Sequence, residues 1–297
     1  MRTASPVSII FVCQRGELEL QSALLAASLR RQLGDQPELI AAVPKIAGQL
    51  HTPLAPALQL LERLNVTVAP FDNSFTRPGE RLESTDLLIN KAFCMGLPVK
   101  SPRTIVTDSD MVCMRPYDFS KPWDAPVCCK PVDHQNERRW KPLYELFDLE
   151  VPNQVVMSTQ SNEPGPPYFN SGFVSVAADV AGSLSACWLD TFEKITKSGI
   201  MGDNLFFREQ VSLAIAVHRL ETRFGLLEDE FNYPAHSKAV DATNPPFFVH
   251  YHQTRVLGAQ EVLNRYVTEI AEEHSELRKL GRLYPHWLSE LPVLWAQ

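Results

Sequence analysis

The first third of the chain alternates short apolar runs with amphipathic segments, and this alternation is the feature that most limits the fold. The run "VSIIFVC" is rich in β-branched residues and predicts a buried strand, while the leucines of 17–33 recur at helical intervals. Strands are predicted at 7–13, 38–44 and 65–71, and helices at 17–33, 54–64 and 84–97. This order predicts an α/β fold with a mainly parallel sheet flanked by helices.

The fourth strand of this series, "TIVTDSDMVCM" at 104–114, carries two aspartates. In parallel sheets the ligand crevice lies beyond the carboxyl ends of the strands. Residues i and i+2 of a strand point to the same side, so we expect Asp108 and Asp110 to face that crevice together. Taken alone, the pair fits a divalent cation site, the nucleophile and acid of an aspartate-nucleophile phosphatase (DxDxV), or the polar end of a core strand.

Residues elsewhere in the chain bear on these alternatives. The phosphatase hypothesis predicts an early motif and a late acidic pair, whereas "MGDNLFF" at 201–207 offers only Asp203. The cation hypothesis predicts a further ligand, and "FFVHYHQTR" at 247–255 places His250 and His252 on one face of a predicted strand, followed by Arg255. Lys91 lies on the apolar face of the helix 84–97, where it needs an anionic partner or an exit to water.

Composition narrows the class of protein. The 297 residues are 44% hydrophobic and 21% charged, which is ordinary for a globular chain, and a net charge of −7 gives no field that attracts nucleic acid. The six cysteines show no CxxC pair, so we expect reduced core thiols. With no segment long enough to span a membrane, we expect a soluble, cytoplasmic protein.

Four motifs occur in an order typical of one enzyme class: Asp-x-Asp after an apolar strand, "YFNSGFVSV" at 168–176, "REQVSLAIAV" at 208–217, and the late "VHYH" at 249–252. Together they resemble the GT-A fold glycosyltransferases, and among these the glycogenin-like and lipopolysaccharide galactosyltransferase-like retaining group. The resemblance implies a Rossmann-like mixed sheet, a nucleotide-sugar donor (UDP- or GDP-sugar), and transfer of a hexosyl group with retention. It also implies Mn²⁺ (or Mg²⁺) under the donor diphosphate and an acceptor hydroxyl on a saccharide, lipid-linked or small molecule.

Carried over by position, the resemblance assigns roles to residues of this chain. It implies metal binding by Asp108, Asp110 and His250, with His252 as the fallback, and a catalytic set of Glu209, Gln210 and Asn170. The donor-binding residues that it implies are Lys91, Asp108, Ser109, Ser171, Gly172 and Arg255. The sequence departs from the family pattern in having Glu209 where an aspartate is usual and in lacking the glycine after the late histidine.

The resemblance also sets the expected organisation. A single domain is expected over 1–297, with a nucleotide-binding half at about 1–115, an acceptor-side half at about 116–258 and a C-terminal helical segment at about 259–297. A sugar nucleotidyltransferase shares the fold, but its Gly-rich first loop is absent after Cys13, which argues against that class. A non-catalytic sugar-nucleotide-binding protein of the same fold remains an alternative. The phosphatase stays a further alternative.

Two aromatic segments have open roles. Trp140, Tyr144 and Phe147 suit either an acceptor wall or core packing, and packing is the favoured interpretation. The C-terminal "YPHWLSELPVLWAQ" suits either a cap on the fold or a homodimer contact.

Overall fold

The computed structural model describes residues 5–79, 86–121, 123–132, 139–159, 161–202 and 205–291. Their strands are β1 (Ser8–Val12), β2 (Glu38–Ile46), β3 (Gln49–Leu50), β4 (Val66–Asp72), β5 (Arg103–Thr107), β6 (Met111–Cys113), β7 (Val127–Pro131), β8 (Val156–Met157), β9 (Pro164–Gly165), β10 (Phe169–Ala177), β11 (Phe224–Leu226), β12 (Tyr233–Pro234) and β13 (Phe248–His250). Their α-helices are α1 (Glu17–Leu33), α2 (Ala55–Arg63), α3 (Asn90–Met95), α4 (Trp140–Glu145), α5 (Ala178–Ser198), α6 (Arg208–Arg219), α7 (Thr254–Ala259), α8 (Glu261–Glu273), α9 (Ser275–Gly281) and α10 (Pro285–Glu290).

A central sheet of eight strands carries the fold, in the order β11-β7-β10-β5-β1-β2-β3, with β4 also paired to β2. Strands β5, β1, β2 and β4 run parallel, and β10 lies antiparallel between β5 and β7. All five residues of β1 and of β5 are buried, as expected for strands covered on both faces. The α/β prediction with a mixed, mainly parallel sheet is confirmed.

Hydrophobic cores cover both faces of this sheet. Ile10 and Val106 face a core built with α3, α5 and α6, whereas Ile9 and Phe11 face the other side, where α1 packs. Alternate residues of one strand thus serve opposite cores, which is the pattern of a doubly covered sheet. The ends of β1 and β5 are thereby held between two layers of helices.

The segment 104–114 corrects one prediction. It is two strands in different sheets, because β5 belongs to the central sheet and β6 pairs antiparallel with β13 in a small sheet of β12, β13 and β6. The chain leaves the central sheet at Asp108 and enters the small sheet at Met111. The two aspartates therefore lie in the connection between the sheets.

Other boundaries also differ from the prediction. In the described residues the helix expected at 84–97 is α3 only, and the helical segment expected from about 259 breaks at His274 into α8 and α9. The strand predicted within 247–255 is β13, which ends at His250. Apolar periodicity marks the core-facing residues but cannot show where a turn interrupts them.

Both open aromatic segments pack into the chain's own core. Trp140 and Tyr144 are buried and Phe147 packs against the same cluster, which confirms core packing. Trp287 of α10 is 1% exposed, and its Nε1 donates to Glu17 Oε1 at 3.0 Å at the start of α1. The described part of this C-terminal segment, 284–291, therefore caps the fold, and residues 292–297 lie outside the described residues. All six cysteines are free and five are buried, as predicted.

Candidate active site

The connection between β5 and β6 is anchored at each of its three residues. The Asp108 amide donates to the Gly172 carbonyl at 2.9 Å, and the Ser109 hydroxyl donates to the Val12 carbonyl at 2.6 Å. The Asp110 carbonyl accepts from the Tyr251 amide at 3.1 Å. Ser109, expected among the donor-binding residues, thus uses its hydroxyl to tie the connection to β1.

Pairing of β13 with β6 brings His250 to the two aspartates, since His250 lies opposite Met111 in that ladder. His250 Nε2 is 3.0 Å from Asp110 Oδ1 and 3.8 Å from Asp108 Oδ2. One ligand atom from each of the three residues lies within 4.8 Å of the others. The three residues therefore form a compact set of two carboxylates and one imidazole, referred to below as the Asp-Asp-His cluster.

Asp110 and His250 of the cluster shift each other's pKa. Burial alone would raise the pKa of Asp110, but the charge and hydrogen bond of His250 outweigh it and lower that pKa to about 2. Burial would likewise lower the pKa of His250, and the Asp110 carboxylate outweighs it and raises that pKa. Carboxylate oxygens with one imidazole nitrogen form a donor set that suits Mn²⁺, and Mg²⁺ through the oxygens, so the residues present fit a divalent cation.

His252, the fallback ligand, is not one of the three residues of this cluster. The strand ends at His250, and His252 has a positive φ of 57°, so the prediction that the two histidines share a strand face is wrong. Its ring stacks on that of His250, with centroids 3.6 Å apart, and its Nδ1 lies 3.0 Å from Nδ1 of His236. His252 lines the mouth of the cavity next to His250.

Lys91, in the first turn of α3, is buried beside the cluster. Its Nζ is 2.9 Å from Asp108 Oδ1, donates to Ser171 Oγ at 2.8 Å, and lies 3.6 Å from Glu209 Oε1. Burial alone would lower the pKa of Lys91, but the charges of Asp108 and Glu209 raise it above its ordinary value. The side chain is therefore a fixed cation within the site, with the anionic partners that its place on an apolar helix face requires.

Glu209 enters the same network from the start of α6. Ser171 Oγ donates to Glu209 Oε2 at 2.8 Å, and the buried Trp188 of α5 donates from Nε1 to the Glu209 carbonyl at 3.0 Å. Burial raises the pKa of Glu209 to about 7, against the opposing charge of Lys91. The Glu209 carboxyl group is therefore held in place by hydrogen bonds. With a pKa of about 7, it changes charge near neutral pH.

The "FNSG" segment of β10 fits closely against the connection 108–110. An ideal Cβ on Gly172 would lie 2.6 Å from Asp108 Oδ2 and 2.8 Å from both Asn170 Oδ1 and Asn232 Nδ2. These distances are well inside the roughly 3.3 Å of a close carbon–oxygen contact. Only glycine allows β10 to approach the first aspartate this closely.

Gln210 and Arg255 complete the predicted set. Gln210 lines the cavity, and its Oε1 accepts from Tyr168 Oη at 3.1 Å. Arg255 is exposed, its Nε donates to Gln253 Oε1 at 2.6 Å, and it is absent from the residues that line the cavity in the described part of the chain. Arg255, which was expected to bind the donor, therefore lies outside this cavity.

A cavity of about 690 Å³ opens over these groups. This volume lies within the range of small-molecule sites, roughly 300–1,000 Å³. Its polar floor holds Lys91, Asp108, Ser109, Asp110, Asn170, Glu209, Gln210 and His250. Apolar side chains, among them Leu18, Leu87, Leu88, Phe206 and Phe207, form the rest of the wall.

Two functional positions escape sequence reasoning. Asn232 is buried and donates from Nδ2 to Asn170 Oδ1 at 2.7 Å, while its own Oδ1 accepts from His250 Nδ1 at 2.9 Å. Lys130 of β7 donates from Nζ to the Asn232 carbonyl at 2.7 Å. A single asparagine in "DEFNYP" reads as a turn residue, so no local signal marks it. Asp203, on which the phosphatase alternative depends, lies outside the described residues.

Comparison with known proteins gives the class of the protein. The family described as the Rhodobacterales glycosyltransferase domain matches residues 9–221. The match spans well over half of the chain, and the protein therefore belongs to this glycosyltransferase family. No curated protein matches the chain. Within the described residues, none of the helices is both long and apolar enough to cross a bilayer.

Proposed function

We propose that the protein transfers a hexosyl group from a nucleotide-diphosphate sugar to an acceptor hydroxyl, with a divalent cation held by Asp108, Asp110 and His250. The observation that carries the proposal is the Asp-Asp-His cluster, whose ligand atoms lie within 4.8 Å of one another on the floor of a 690 Å³ cavity. When bound, such a cation neutralises charge on a diphosphate leaving group. The mixed donor set favours Mn²⁺, with Mg²⁺ as the second choice.

The chain's own residues supply the remaining charge and orientation. Lys91 places a permanent positive charge 2.9 Å from Asp108, at the side of the cluster that faces β10. This cation attracts the donor phosphates or an electronegative group of the sugar. Asn170 and Gln210 line the same cavity with neutral amides, which suit sugar hydroxyls.

We propose transfer with retention at the anomeric carbon. The bond from this carbon to the diphosphate oxygen breaks, the bond to the acceptor oxygen forms on the same face, and the acceptor proton leaves with the diphosphate. An inverting transfer needs a free base beside the acceptor. The carboxylates that line the cavity within the described residues are Asp108, Asp110 and Glu209, and Glu209 is tied to Ser171 and Lys91 at the buried end. Because these contacts hold Glu209 in place, its position supports a contact with the sugar rather than the role of a base that takes the acceptor proton.

The experiment is thermal unfolding with UDP, GDP and other nucleoside diphosphates, each with and without Mn²⁺. We expect one nucleotide to raise the midpoint temperature only when Mn²⁺ is present, and Asp110→Ala to abolish this increase. The absence of a metal-dependent shift with every nucleotide would refute the proposal. Turnover of a phosphate ester that Asp108→Asn abolishes, with no effect of nucleotides, would instead favour the phosphatase.

A further inference from the structure

Asn232 lies where the Asp-Asp-His cluster meets β10. It follows the 3₁₀ turn Asp229–Phe231 and is 2% exposed. Its side chain reaches between His250 and Asn170, with hydrogen bonds of 2.9 Å and 2.7 Å respectively. The side-chain amide of Asn232 thus bonds both to the Asp-Asp-His cluster and to Asn170, which lines the cavity.

The main chain of Asn232 is itself fixed. Lys130 donates from Nζ to its carbonyl at 2.7 Å, and the Asn232 amide donates to the Asp229 carbonyl at 3.2 Å. Lys130 is buried and pairs with Asp229 Oδ1 at 2.6 Å. A loop residue therefore has the rigidity that is usual for residues of strands and helices.

The amide oxygen of Asn232 fixes the orientation of the His250 ring. An amide oxygen only accepts, so the 2.9 Å bond is made by N–H at His250 Nδ1. The opposite nitrogen, Nε2, then points at the two aspartates and lies 3.0 Å from Asp110 Oδ1. Partners of this kind fix the tautomer and the orientation of a ligating histidine.

The NH₂ group of Asn232 decides how Asn170 faces the cavity. Asn170 Oδ1 accepts from the Gly172 amide at 2.7 Å and from Asn232 Nδ2 at 2.7 Å, which uses both of its lone pairs. The NH₂ group of Asn170 is therefore directed away from these donors, and Asn170 lines the cavity. A ligand at this point must present an acceptor, such as a hydroxyl or phosphate oxygen.

We propose that Asn232 is a positioning residue, which holds the His250 ring with Nε2 toward the aspartates and orients the Asn170 NH₂ group toward the ligand. The effect of Asn232 on cation binding rests on the proposed function. The orientation of the Asn170 amide does not, because it is a property of the protein alone.

Two substitutions separate the two effects. In Asn232→Asp the side chain still accepts from His250 Nδ1, so the ring keeps its orientation and Mn²⁺ affinity stays within about threefold of the wild type or increases. The new carboxylate cannot donate to Asn170, whose amide we expect to turn and donate to it. In Asn232→Leu both bonds are lost, and we expect Mn²⁺ affinity to fall roughly 10–100-fold.

Asn73→Leu is the matched control, since Asn73 is also a buried amide, 1% exposed, that bonds to Asn90 and to none of the three residues of the cluster. It should lower the unfolding midpoint as Asn232→Leu does, while Mn²⁺ affinity stays unchanged. A loss of Mn²⁺ affinity that follows stability alone, equal in both leucine variants, would overturn the proposal.

The measurements are Mn²⁺ titration followed by electron paramagnetic resonance, and ¹⁵N NMR of the asparagine side-chain amides in metal-free protein. The Asn170 NH₂ signal, identified by its absence in Asn170→Asp, should move downfield in Asn232→Asp.

An Asn170 NH₂ signal that keeps its wild-type position in Asn232→Asp would refute the positioning role. If wild-type protein binds neither Mn²⁺ nor Mg²⁺, the proposed function fails, and the Asn170 signal still decides the role of Asn232.

Discussion

Replacing Gly172 by alanine inserts one methyl group into the most crowded point of the site. The new carbon would stand 2.6 Å from Asp108 Oδ2 and 2.8 Å from two further polar atoms, those of Asn170 and Asn232. Each contact is about 0.5–0.7 Å shorter than a close carbon–oxygen approach of roughly 3.3 Å. Asp108 is held through its amide to the Gly172 carbonyl and through Oδ1 to Lys91 Nζ at 2.9 Å, so its carboxylate can move only at the cost of these contacts.

Overpacking by one methylene typically costs about 1–3 kcal/mol, and we expect Gly172→Ala to lower the free energy of unfolding by this amount. Relief of the clash moves the carboxylate of Asp108 or breaks the bonds of Asn232, and loss of such supporting contacts weakens metal binding by roughly 10–100-fold. Urea unfolding measures the first effect, and Mn²⁺ titration measures the second.

Gly182→Ala is the control. Gly182 lies on the exposed side of α5 with no atom within 4 Å of an ideal Cβ, so the same methyl group enters open space. Alanine in a helix interior is favoured over glycine by about 0.8–1 kcal/mol, so stability should rise and Mn²⁺ affinity should not change. If Gly172→Ala unfolds at the wild-type urea concentration and binds Mn²⁺ as tightly, the close approach of β10 has no functional importance.

Three further predictions concern buried charge and the C-terminal cap. Lys91→Met leaves the carboxylates of Asp108 and Glu209 without their shared cation and should destabilise the protein by about 3–5 kcal/mol in urea unfolding, whereas a loss below 1 kcal/mol would show that the ion pairs are unimportant. Because the folded-state pKa of Glu209 is about 7 against an ordinary 4.5, the folded state binds more protons between these values, so stability falls as pH rises through this window, by up to roughly 3 kcal/mol. Glu209→Gln should flatten this decline in pH-dependent urea unfolding, and parallel curves for both proteins would contradict the assignment. Trp287→Ala should cost about 3–5 kcal/mol by opening the packing of α10 on α1, measured by thermal unfolding, and an unchanged midpoint would show that the cap contributes nothing.

Most of the first half of the fold follows from apolar periodicity. The segments β1, α1, β2, α2 and β4 form where the pattern places them, because each buries a complete face or stripe of the kind that the pattern detects. The division of 104–114 between two sheets does not follow, since β6 remains fully buried and apolar after the turn. A change of sheet leaves no mark in hydrophobicity.

The site was predictable to the extent that its residues carry unusual chemistry for their surroundings. A lysine on an apolar helix face and two acids after a buried strand stand out, and the structure brings Lys91, Asp108, Asp110, Glu209 and His250 together. Asn232 and Lys130 did not stand out, because their importance lies in contacts made across more than fifty residues of sequence. Their roles exist only once the chain has folded.

The pairing of β13 with β6 has a consequence for how the protein can be divided. His250 lies beyond residue 221, where the family match ends, and it reaches the aspartates only through this last strand. A fragment that stops at the family boundary would therefore contain most of the central sheet and both acids but could not assemble the three-residue cluster. During synthesis the cluster could form only after β13 has been made and has paired with β6, so cation binding would report that this pairing has occurred.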